Sequence, residues 1–541
     1  MQRLKQLLVK RRLKKVSSVS EEPSPEPGPT TPRTSLQAER EAWSAQALSE
    51  HHQTLAIKNL PQEVLEVMFS EEAASPWGDY QPLFCLRAVC KDWMEIIDST
   101  PDLWRAIKSI FHPEFQAMIL RNSRKRTLFV TYDERLWTTD PSGEEKMEAF
   151  ASLMRPTADR WRELKYYPVW NSKSAGWMLS LPFHNLHRLD VQGDGLIAHR
   201  QPLDAPKLQT LAVTHGSLQW RSFSGLISLI LEQTDATLND FVAVLQASPG
   251  LYYLSLKKTW LKLEAEDPQD AAISKILLPK LHHLFVYRSS ARSLSLLLDR
   301  IEAPDLGHFS ITQRYKYDPE DCTRLFELAA PYIGIFPFPK CEKQHRVVIR
   351  VREWEIELAI GERRIIVWTP TWTSENGPRE RMRYLTSFLE HLDDRVCETV
   401  NVLCLGGWGD GEIGGYLGIL HARFPQINEL AFEAEWHYGR DMDVLCGHLT
   451  SSVQLGLGEE WLLPKLTKLT LDYGIFWKGG LDQLLQLVET RRSARHVEAI
   501  EELRLDAPSG GVDSSTMEML RCSINLVEIY QTRVRHSFTL H

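Results

Sequence analysis

The sequence has few cysteines for its length, and none of them forms a Cys-x-x-Cys pair. The eight cysteines are scattered along the chain: Cys85, Cys90, Cys322, Cys341, Cys397, Cys404, Cys446 and Cys522. Zinc sites and disulfide frameworks both show cysteines at recognisable short spacings. We therefore expect free thiols in a reducing compartment and no structural zinc.

Long apolar runs and a surplus of one charge are also absent. No run approaches the roughly 18 apolar residues of a membrane span, and the first residues lack the apolar core of about 7–15 residues found in a secretory signal. The 63 basic and 71 acidic residues give a net charge of −8, whereas nucleic-acid binding needs clustered positive charge. We expect a cytoplasmic or nuclear chain that binds protein, without contact to membrane or nucleic acid.

The chain does contain ample material for a hydrophobic core. Its 541 residues are 43% hydrophobic and 25% charged, which exceeds one ordinary globular domain. Residues 1–34 differ, because they hold seven Lys or Arg in the first fifteen positions and five prolines between positions 21 and 32. This composition predicts a disordered tail that is either a nuclear-import address or a solvated segment. Residues 35–58 follow as a helical lead-in.

The segment NLPQEVLEVMF, residues 59–69, carries more apolar surface than one helix face needs. Its proline suits the first turn of a helix, yet apolar side chains surround most of the cylinder. Two further short helices are predicted over residues 81–89 and 91–99, and a unit of about 45 residues buries too little surface to be stable alone. Either the downstream chain or another protein covers the surplus.

Three short motifs in residues 59–104 resemble an F-box. The Leu-Pro-x-Glu-Val-Leu opening, the Leu-Arg-x-Val-Cys-Lys-x-Trp centre and the Thr-Pro-x-Leu-Trp close follow one another at the spacing of that family. The resemblance implies a three-helix unit that docks on the Skp adaptor of an SCF-type ubiquitin ligase. The apolar residues that it divides between a small core and the docking face are Leu60, Pro61, Val64, Leu65, Met68, Leu83, Leu86, Val89, Cys90 and Trp93.

This sequence departs from the minimal family pattern in one place. The loop at 70–80, between the first and second helices, is longer than in that pattern. The departure affects the placement of the second helix. The alternative interpretation is a helical cap on the downstream domain that binds no partner.

Beyond residue 180 the chain repeats the pattern Leu-x-x-Leu-x-Leu. Nine segments follow it, and six of them have proline two residues before the first apolar residue, where proline ends one segment and leads into an extended strand. Six successive first residues are 22, 18, 25, 30 and 25 positions apart: Leu186, Leu208, Leu226, Leu251, Leu281 and Leu306. These are the lengths of leucine-rich repeats, irregularly kept.

Apolar residues at helical spacing lie between these strands. Three such groups are Leu238, Phe241 and Leu245, then Leu294, Leu297, Leu298 and Ile301, then Leu481, Leu484, Leu485 and Val488. A single repeat cannot bury its apolar face alone, so stacking of neighbours is required. The sequence therefore predicts an α/β fold in which residues 105–541 form an irregular leucine-rich-repeat solenoid, with a parallel sheet on the concave face and helices outside. Residues 105–180 are interpreted as early degenerate repeats.

A strand-rich insertion is predicted at about 312–395. Residues 345–368 alternate between apolar and polar side chains, and Gly361-Glu362 suits a hairpin turn. The segment 400–405, VNVLCL, is interpreted as one further degenerate repeat.

A glycine-rich segment suggests a competing function. Gly409-x-Gly411-x-x-Gly414 lies between an apolar strand and a helix, and Glu433 ends the next strand, which is the context of a dinucleotide-binding motif. Two acidic residues within the segment oppose a pyrophosphate, which needs bare amides and positive potential. We interpret the segment as a repeat turn and keep a nucleotide-dependent oxidoreductase as a minor alternative.

Histidine pairs are the remaining candidates for chemistry. His184 and His187, and separately His282 and His283, stand close in sequence, but no cysteine or carboxylate lies at ligand spacing. We interpret them as repeat-strand residues, and no nucleophile with a base is visible. The sequence predicts a non-enzymatic protein without cofactor or metal.

The repeat pattern also predicts a target-binding surface. In Leu-x-x-Leu-x-Leu the last two apolar residues point into the core, so the residues around them face the concave side. In two neighbouring repeats these positions hold Tyr253, Ser255 and Lys257, then His283, Phe285 and Tyr287. The candidate target-binding residues are the ring residues among them, Tyr253, His283, Phe285 and Tyr287, because aromatic side chains dominate interface hot spots. Carboxylates predicted to form an acidic rim occupy later repeats: Glu433, Asp472, Glu502 and Asp506. The alternative is that the insertion covers Phe285 and Tyr287, which then serve packing only.

Together these features resemble F-box proteins with irregular leucine-rich repeats, of the type found in filamentous fungi. The resemblance implies a non-catalytic substrate-recognition subunit that binds a Skp-family adaptor, and through it a cullin and a RING protein. The repeats would hold an unknown protein substrate. The alternative is an adaptor-binding scaffold that acts outside ubiquitination.

Overall fold

The computed structural model describes residues 60–73, 79–138, 140–169, 178–196, 203–216, 223–262, 275–287, 297–298, 300–312, 347–352, 355–360, 363–368, 377–390, 392, 394–406, 413–433, 441–450, 452–455, 458–472, 480–507 and 514–531. The predicted tail at 1–34 and the helical lead-in at 35–58 lie outside the described residues. The chain divides into two units, residues 1–71 and 72–541.

Helix α1, Gln62–Ala73, begins in the first unit. The carbonyl of Pro61 accepts hydrogen bonds from the amides of Val64 at 3.0 Å and Leu65 at 3.2 Å, so the proline starts the helix as its position predicts. The helix continues to Ala73 and thus extends into the segment that the sequence predicts as a polar loop.

The second unit begins with two short helices, α2 Gln81–Arg87 and α3 Lys91–Ser99, followed by a 3₁₀ turn at Pro101–Trp104. A paired hydrogen bond joins the helices, because Nε and Nη2 of Arg87 each lie 2.8 Å from a carboxylate oxygen of Asp98. The indole of Trp104 donates to the Ile97 carbonyl at 2.7 Å. Helix α2 ends at Arg87, two residues earlier than predicted.

Tyr80 connects these helices to the sheet. Its hydroxyl donates to the Ala106 carbonyl at 2.7 Å and accepts from the Ala106 amide at 3.1 Å. Its ring stacks on Trp104 with centroids 5.6 Å apart and meets the edges of Phe111 and Phe115. Burial raises the pKa of the Tyr80 hydroxyl, which stays protonated and keeps both bonds.

The rest of the second unit is built on short strands, which are β1 Ala106–Lys108, β2 Leu128–Asp133, β3 Trp161–Tyr167, β4 Arg188–Leu196, β5 Thr210–Gly216, β6 Ser228–Thr237, β7 Tyr253–Lys257, β8 Trp260–Lys262, β9 Ile276–Leu277, β10 His283–Tyr287, β11 Ile301–Glu302, β12 His308–Thr312, β13 Val347–Arg352, β14 Glu355–Ile360, β15 Arg363–Trp368, β16 Val402–Gly406, β17 Glu429–Glu433, β18 Ser452–Leu455, β19 Gly458–Trp461, β20 Lys468–Asp472, β21 Glu502–Ala507 and β22 Leu526–Gln531. All nine Leu-x-x-Leu-x-Leu segments lie on such strands or lead into them, and the segment at 400–405 overlaps β16.

Eighteen of these strands form one sheet, mostly parallel and in chain order. Strands β1 to β7 pair consecutively, β7 pairs with β10, β10 with β12, and β16, β17, β20, β21 and β22 follow one another. Strand β8 extends the pairing of β6. Two small sheets, β9 with β11 and β18 with β19, stand apart. The predicted α/β class with a large parallel sheet is confirmed.

A ladder of backbone carbonyls holds neighbouring repeats in register. The Tyr252 carbonyl accepts from the amides of His282 at 2.9 Å and His283 at 3.0 Å. Eight carbonyls at this position each accept two amides of the next repeat: those of His187, Gln209, Ile227, Tyr252, His282, Asn401, Asn428 and Thr467. Equivalent positions of successive repeats therefore lie side by side on the sheet.

The predicted insertion enters this sheet in reverse order. Strand β15 is parallel to β12, β14 is antiparallel to β15, β13 is antiparallel to β14, and β13 is parallel to β16. Ile360 pairs with Arg363, which confirms the hairpin predicted at Gly361-Glu362. The described strands of the insertion thus extend the sheet sideways between β12 and β16.

The helices of the second unit after α3 whose bounds the structure describes are α4 Pro113–Ser123, α5 Gly143–Met154, α6 Leu238–Gln246, α7 Gly377–Glu390, α8 Asp394–Cys397, α9 Ile413–Arg423, α10 Asp441–Thr450, α11 Gly480–Ser493 and α12 Ser514–Ser523. Helices α6 and α11 confirm two of the three predicted helical groups. The third is wrong at its end, because Ile301 pairs with Ile276 in β11 and β9. None of the described helices has the length and apolar character needed to cross a membrane.

The core follows the repeat pattern. The first apolar residue of every Leu-x-x-Leu-x-Leu segment is buried: Leu186, Leu208, Leu226, Leu251, Leu281, Leu306, Ile427, Leu466 and Ile500. Within the strands burial alternates, as in β2 and β10, because successive side chains point to opposite faces. One face of the sheet therefore remains partly accessible and carries the residues between the core positions.

Candidate functional site

In the first unit, helix α1 separates the predicted docking residues into two groups. Leu65 is buried, Val64 is 42% exposed, and Val67, which is not among the predicted docking residues, is 58% exposed. Pro61 is exposed, while Leu60 and Met68 are half-buried. Among the described residues of this unit, the exposed large apolar side chains are therefore the two valines.

In the second unit most predicted docking residues are core residues. Leu83, Leu86 and Trp93 are buried, whereas Val89 is 36% exposed. Cys90 is half-buried and directly precedes α3. Phe84, on α2, is 37% exposed and is absent from the predicted set. The sequence could have indicated Phe84. It is apolar and directly follows Leu83, so it lies outside the single apolar stripe that a surface helix needs.

The predicted target-binding residues lie together on the accessible face of the sheet. Tyr253, His283 and His308 are direct neighbours across β7, β10 and β12. One level along, Phe285 lies between Ser255 and Ser310. Further along the strands, Tyr287 pairs with Lys257 and Thr312. We call Tyr253, His283, Phe285 and His308 the aromatic patch.

The rings of the aromatic patch contact one another. The Phe285 ring lies 4.8 Å from that of His308 and 5.3 Å from that of Tyr253, measured between centroids. His283 stacks nearly parallel to Phe285 at 6.2 Å. All four side chains are half-buried, so the patch is an ordered cluster that still presents ring surface.

Burial sets the protonation of the patch. It lowers the pKa of His283, with a smaller contribution from the neighbouring His282. It also lowers the pKa of His308, to which His283 and Arg364 add by repulsion while Glu357 opposes them. The imidazoles are therefore neutral near pH 7. Burial likewise raises the pKa of the Tyr253 hydroxyl, so the patch carries no charge of its own.

One feature of the patch differs from the sequence-based expectation, and the described strands of the insertion bear on the alternative. Ser255, expected on the accessible face, is 1% exposed. The insertion, expected as a possible cover for Phe285 and Tyr287, places its described strand β15 beside β12 in the same sheet. Residues 313–346 lie outside the described residues. The described part of the insertion therefore leaves the patch at the surface of the sheet.

Sequence reasoning missed three ring residues beside the predicted ones. Tyr252 stacks on His282 with centroids 5.4 Å apart, and His308 completes the patch. The His282 ring lies against Gly307, where a Cβ atom would overlap it. The position in the repeat could have revealed this row. Tyr252, His282 and Gly307 each lie one residue before their strand, so the carbonyl ladder places them side by side.

The prediction that Glu502 belongs to an acidic rim is wrong. Its carboxylate lies 2.7 Å from Nζ of Lys468 and 2.6 Å from Nη2 of Arg504, and Arg504 also reaches Glu528 at 3.3 Å. These partners, Lys468 first, lower the pKa of Glu502. A shallow pocket of about 240 Å³ lies here, lined by Glu429, Lys468, Leu469, Thr470, Glu502 and Arg504. Its two carboxylates balance its two cationic groups. The sequence signal was present, since Lys468 and Glu502 occupy equivalent repeat positions.

The other three rim residues lie at the ends of neighbouring strands. Asp472 pairs with Asp506 across β20 and β21, and Glu433 ends β17, the next strand. Their backbone positions therefore agree with the predicted row.

The glycine-rich segment is described only in part. Gly409 and Gly411 lie outside the described residues, whereas Gly414 lies in the first turn of α9. A Cβ atom at Gly414 would overlap the ring of His448 in α10. This glycine permits close helix packing, a role that requires no nucleotide.

The histidine pairs show no metal-site geometry in the described residues. His187 Nδ1 lies 2.8 Å from the Asn185 carbonyl, and His282 Nδ1 lies 3.2 Å from the Asp305 carbonyl. Over the described part of the chain, no three His, Cys, Asp or Glu side chains converge as metal ligands would. These rings bind backbone carbonyls of their own repeat or the next one.

Comparisons with known proteins give only a distant likeness. No protein-family model matches the chain, and no curated protein matches it. Among solved structures, a chain of the "Crystal structure of TLR13-ssRNA13 complex" is similar at 13% identity with a TM-score of 0.27. The match covers 75% of this chain and 42% of the TLR13 chain. This chain therefore spans less than half the length of the TLR13 chain.

Proposed function

We propose that this chain is an F-box substrate-recognition subunit of an SCF-type E3 ubiquitin ligase. Residues 59–104 bind a Skp-family adaptor, and through it a cullin and a RING protein. Residues 105–541 form an irregular leucine-rich-repeat solenoid that holds a protein target on the concave face of its sheet. The chain positions its target for a conjugating enzyme and carries out no chemistry itself.

The observation that carries the proposal is the match between motifs and helices at 59–104. The opening motif lies at the start of α1, the central motif spans the end of α2 and the start of α3, and the closing motif forms the 3₁₀ turn at Pro101–Trp104. Each helix has buried residues of the family pattern. Apolar side chains also remain exposed, Val64 and Val67 in the first unit and, separately, Phe84 and Val89 in the second.

The repeat region supports a receptor for protein targets. Repeated strands joined by a carbonyl ladder are typical of solenoids, which use the sheet face as a binding surface. On that face the rings of Tyr253, His283 and Phe285 cluster. Tyr287 follows His283 and Phe285 on β10. Aromatic side chains dominate the energetics of protein interfaces.

Cysteine chemistry supports a location in the cytoplasm, the nucleus or both. The described cysteines are free thiols, and three of them are buried: Cys397, Cys404 and Cys446. Buried free thiols behave as small apolar side chains and persist in reducing compartments.

Co-purification with a Skp-family adaptor tests the proposal. Val64→Asp with Val67→Asp places charge on exposed positions, so the fold stays intact while the apolar contact is lost. Leu65→Asp is unsuitable because Leu65 is buried. The matched control is Leu277→Asp on β9, at a side chain that is 55% exposed. We expect the control and the parent chain to retain the adaptor and the valine variant to lose it.

Equal adaptor recovery for the valine variant and the control would refute the docking role. A second assay distinguishes a ligase subunit from a scaffold. The chain is incubated with the adaptor, a cullin–RING module and ubiquitin-charged conjugating enzyme. Ubiquitin transfer to a captured protein supports the ligase, whereas adaptor binding without transfer assigns the chain to a scaffold outside ubiquitination.

A further inference from the structure

Four arginines lie together where the first strands of the sheet begin. Arg105 immediately precedes β1, Arg126 lies two residues before β2, and Arg160 and Arg162 flank the first residue of β3. The pairing of β2 with β3 shifts at this point, so that Leu128 faces Trp161 and Phe129 faces Glu163. Arg162 is the residue left over by the shift, and its side chain is exposed.

Two of these arginines are fixed by the backbone. Arg105 donates from Nε to the Thr127 carbonyl at 3.0 Å and from Nη2 to the Thr127 hydroxyl at 2.6 Å. Its guanidinium also lies 4.7 Å above the Phe129 ring. Arg160 donates to the Arg126 carbonyl at 3.0 Å and to the Ser123 hydroxyl at 2.8 Å. Ordered guanidinium groups need little further ordering to bind a ligand.

The positive charge here exceeds the negative charge. The only carboxylate in the described residues that forms an ion pair with the four is that of Asp102, which Arg105 and Arg126 share at 3.5 and 3.1 Å. Burial first, with smaller contributions from the charges of Arg162 and Arg126, lowers the pKa of Arg105, while Asp102 and, less strongly, Glu163 oppose the shift. In the sequence, the charged residues next to these arginines are Arg124 and Lys125 on the basic side and Asp159 and Glu163 on the acidic side.

We propose that this cluster, the arginine patch, binds an acidic segment of a partner protein. Guanidinium groups recognise carboxylates through paired hydrogen bonds, and closely placed like charges are stabilised when an anion arrives. The patch lies on the second unit and is separate from the aromatic patch on β7, β10 and β12. The proposal is independent of the adaptor and of ubiquitin transfer.

The composition of the patch favours carboxylates over nucleic acid. Single-stranded nucleic acid needs open aromatic faces on which bases stack. Phe129, the ring within the patch, is covered by Arg105. Three carboxylates beside the patch and a net charge of −8 for the chain also oppose a long, uniformly charged backbone. A short acidic peptide can place its side chains between these groups.

Fluorescence anisotropy with a labelled octaglutamate peptide tests the proposal on the full chain. The patch variant is Lys125→Glu with Arg162→Glu, since both side chains are exposed and form no ion pair in the described residues. The control, Arg492→Glu with Arg495→Glu, makes the same charge change at exposed positions at and beyond the end of α11. We expect about tenfold weaker binding for the patch variant and parent-like binding for the control, with affinity falling as salt rises.

Equal affinities for the patch variant and the control would overturn the proposal. The proposal would also be overturned if a labelled single-stranded RNA octamer bound more tightly than octaglutamate and the patch variant lost this binding. That result would assign the patch to nucleic acid. Melting curves for both variants show whether they fold. Should the charge reversal unfold the chain, Arg162→Gln with Lys125→Gln removes the charges more gently, and unchanged peptide binding by that variant would equally refute the proposal.

Discussion

Phe285 packs against the imidazole of His308 with ring centroids 4.8 Å apart and planes inclined by 34°. The two residues come from neighbouring strands, and the ring of Tyr253 reaches Phe285 from the opposite side. Beside Phe285 the strands supply only Ser255 and Ser310, so the rings above them lean inward over small side chains. Phe285 is therefore the centre of the aromatic patch, and Tyr253 lies at its border.

Replacing Tyr253 and Tyr287 together by Ala is expected to abolish capture of the target while the chain stays folded. Both side chains are half-buried, so the loss of ring contacts should lower the free energy of unfolding by only about 1–2 kcal/mol. Capture is measured as recovery of the proteins that proximity labelling identifies with the parent chain. Ile227→Ala, at a side chain 43% exposed on another ladder position, is the control. Undiminished capture by the tyrosine variant would place the target elsewhere.

Acidification is expected to destabilise the repeat region through His283 and His308. Their pKa values in the folded chain are below the ordinary 6.5, so the folded state holds fewer protons than the unfolded state. Above pH 6.5 both imidazoles are neutral in either state, and the free energy of unfolding is at its full value. It decreases as the pH falls below 6.5 towards the folded pKa values, because the unfolded chain takes up protons first. The urea midpoint, measured from pH 7.5 down to about 5.5, should fall less steeply for His283→Gln with His308→Gln.

His184→Gln, at an exposed histidine before β4, is the control for this experiment and should keep the slope of the parent chain. Carboxylates act in a different window. The pKa of Glu502 is lowered from 4.5, so its stabilising contribution is lost only below that value. A double histidine variant with the same pH slope as the control would show that the two imidazoles do not govern the acid response.

Arg491→Met is expected to destabilise the fold by about 2–4 kcal/mol. The Arg491 side chain is fully buried and donates to backbone carbonyls, the nearest being that of Leu463 at 2.8 Å. Leu463 has a φ of 49°, a left-handed conformation that this contact holds in place. Burial lowers the pKa of Arg491 to about 10, so the guanidinium remains charged at neutral pH. Urea unfolding measures the change, and the exposed Arg492→Met should have little effect.

Two glycine substitutions should have opposite effects on stability. A Cβ atom at Gly143 would overlap the backbone carbonyl of Trp137, so Gly143→Ala should cost about 1–3 kcal/mol. Gly447, within α10, has open space at its Cβ position, and Gly447→Ala should gain up to about 1 kcal/mol of helix stability. Thermal melts of the two variants provide the comparison. A stabilised Gly143→Ala chain would contradict the packing at the start of α5.

Strand positions were predictable from the sequence because each Leu-x-x-Leu-x-Leu segment repeats a local pattern of burial. The helix predicted through Ile301 marks the limit of that reasoning. Its apolar spacing suits a helix, but the backbone of Ile301 pairs with Ile276 from the preceding repeat. That pairing depends on a distant segment, and no local propensity encodes it.

Charges on the sheet face were harder to predict than apolar positions. Glu502 has one cationic partner in its own strand, Arg504, and a second, Lys468, comes from the strand one repeat earlier. The arginine patch joins residues at the beginnings of three neighbouring strands, and its visible trace in the sequence is the basic run at 121–126. Side-chain partners of this kind emerge only when the register between strands is known.

In the described part of the sheet, three inserted strands, an odd number, lie between β12 and β16, and they alternate in direction. Its two outer strands therefore run the same way, so the repeats on both sides keep a common polarity. Two or four alternating strands would leave one flank antiparallel. The three strands therefore widen the sheet without reversing the direction of the strands that follow, so the later repeats are built on the same frame as the earlier ones.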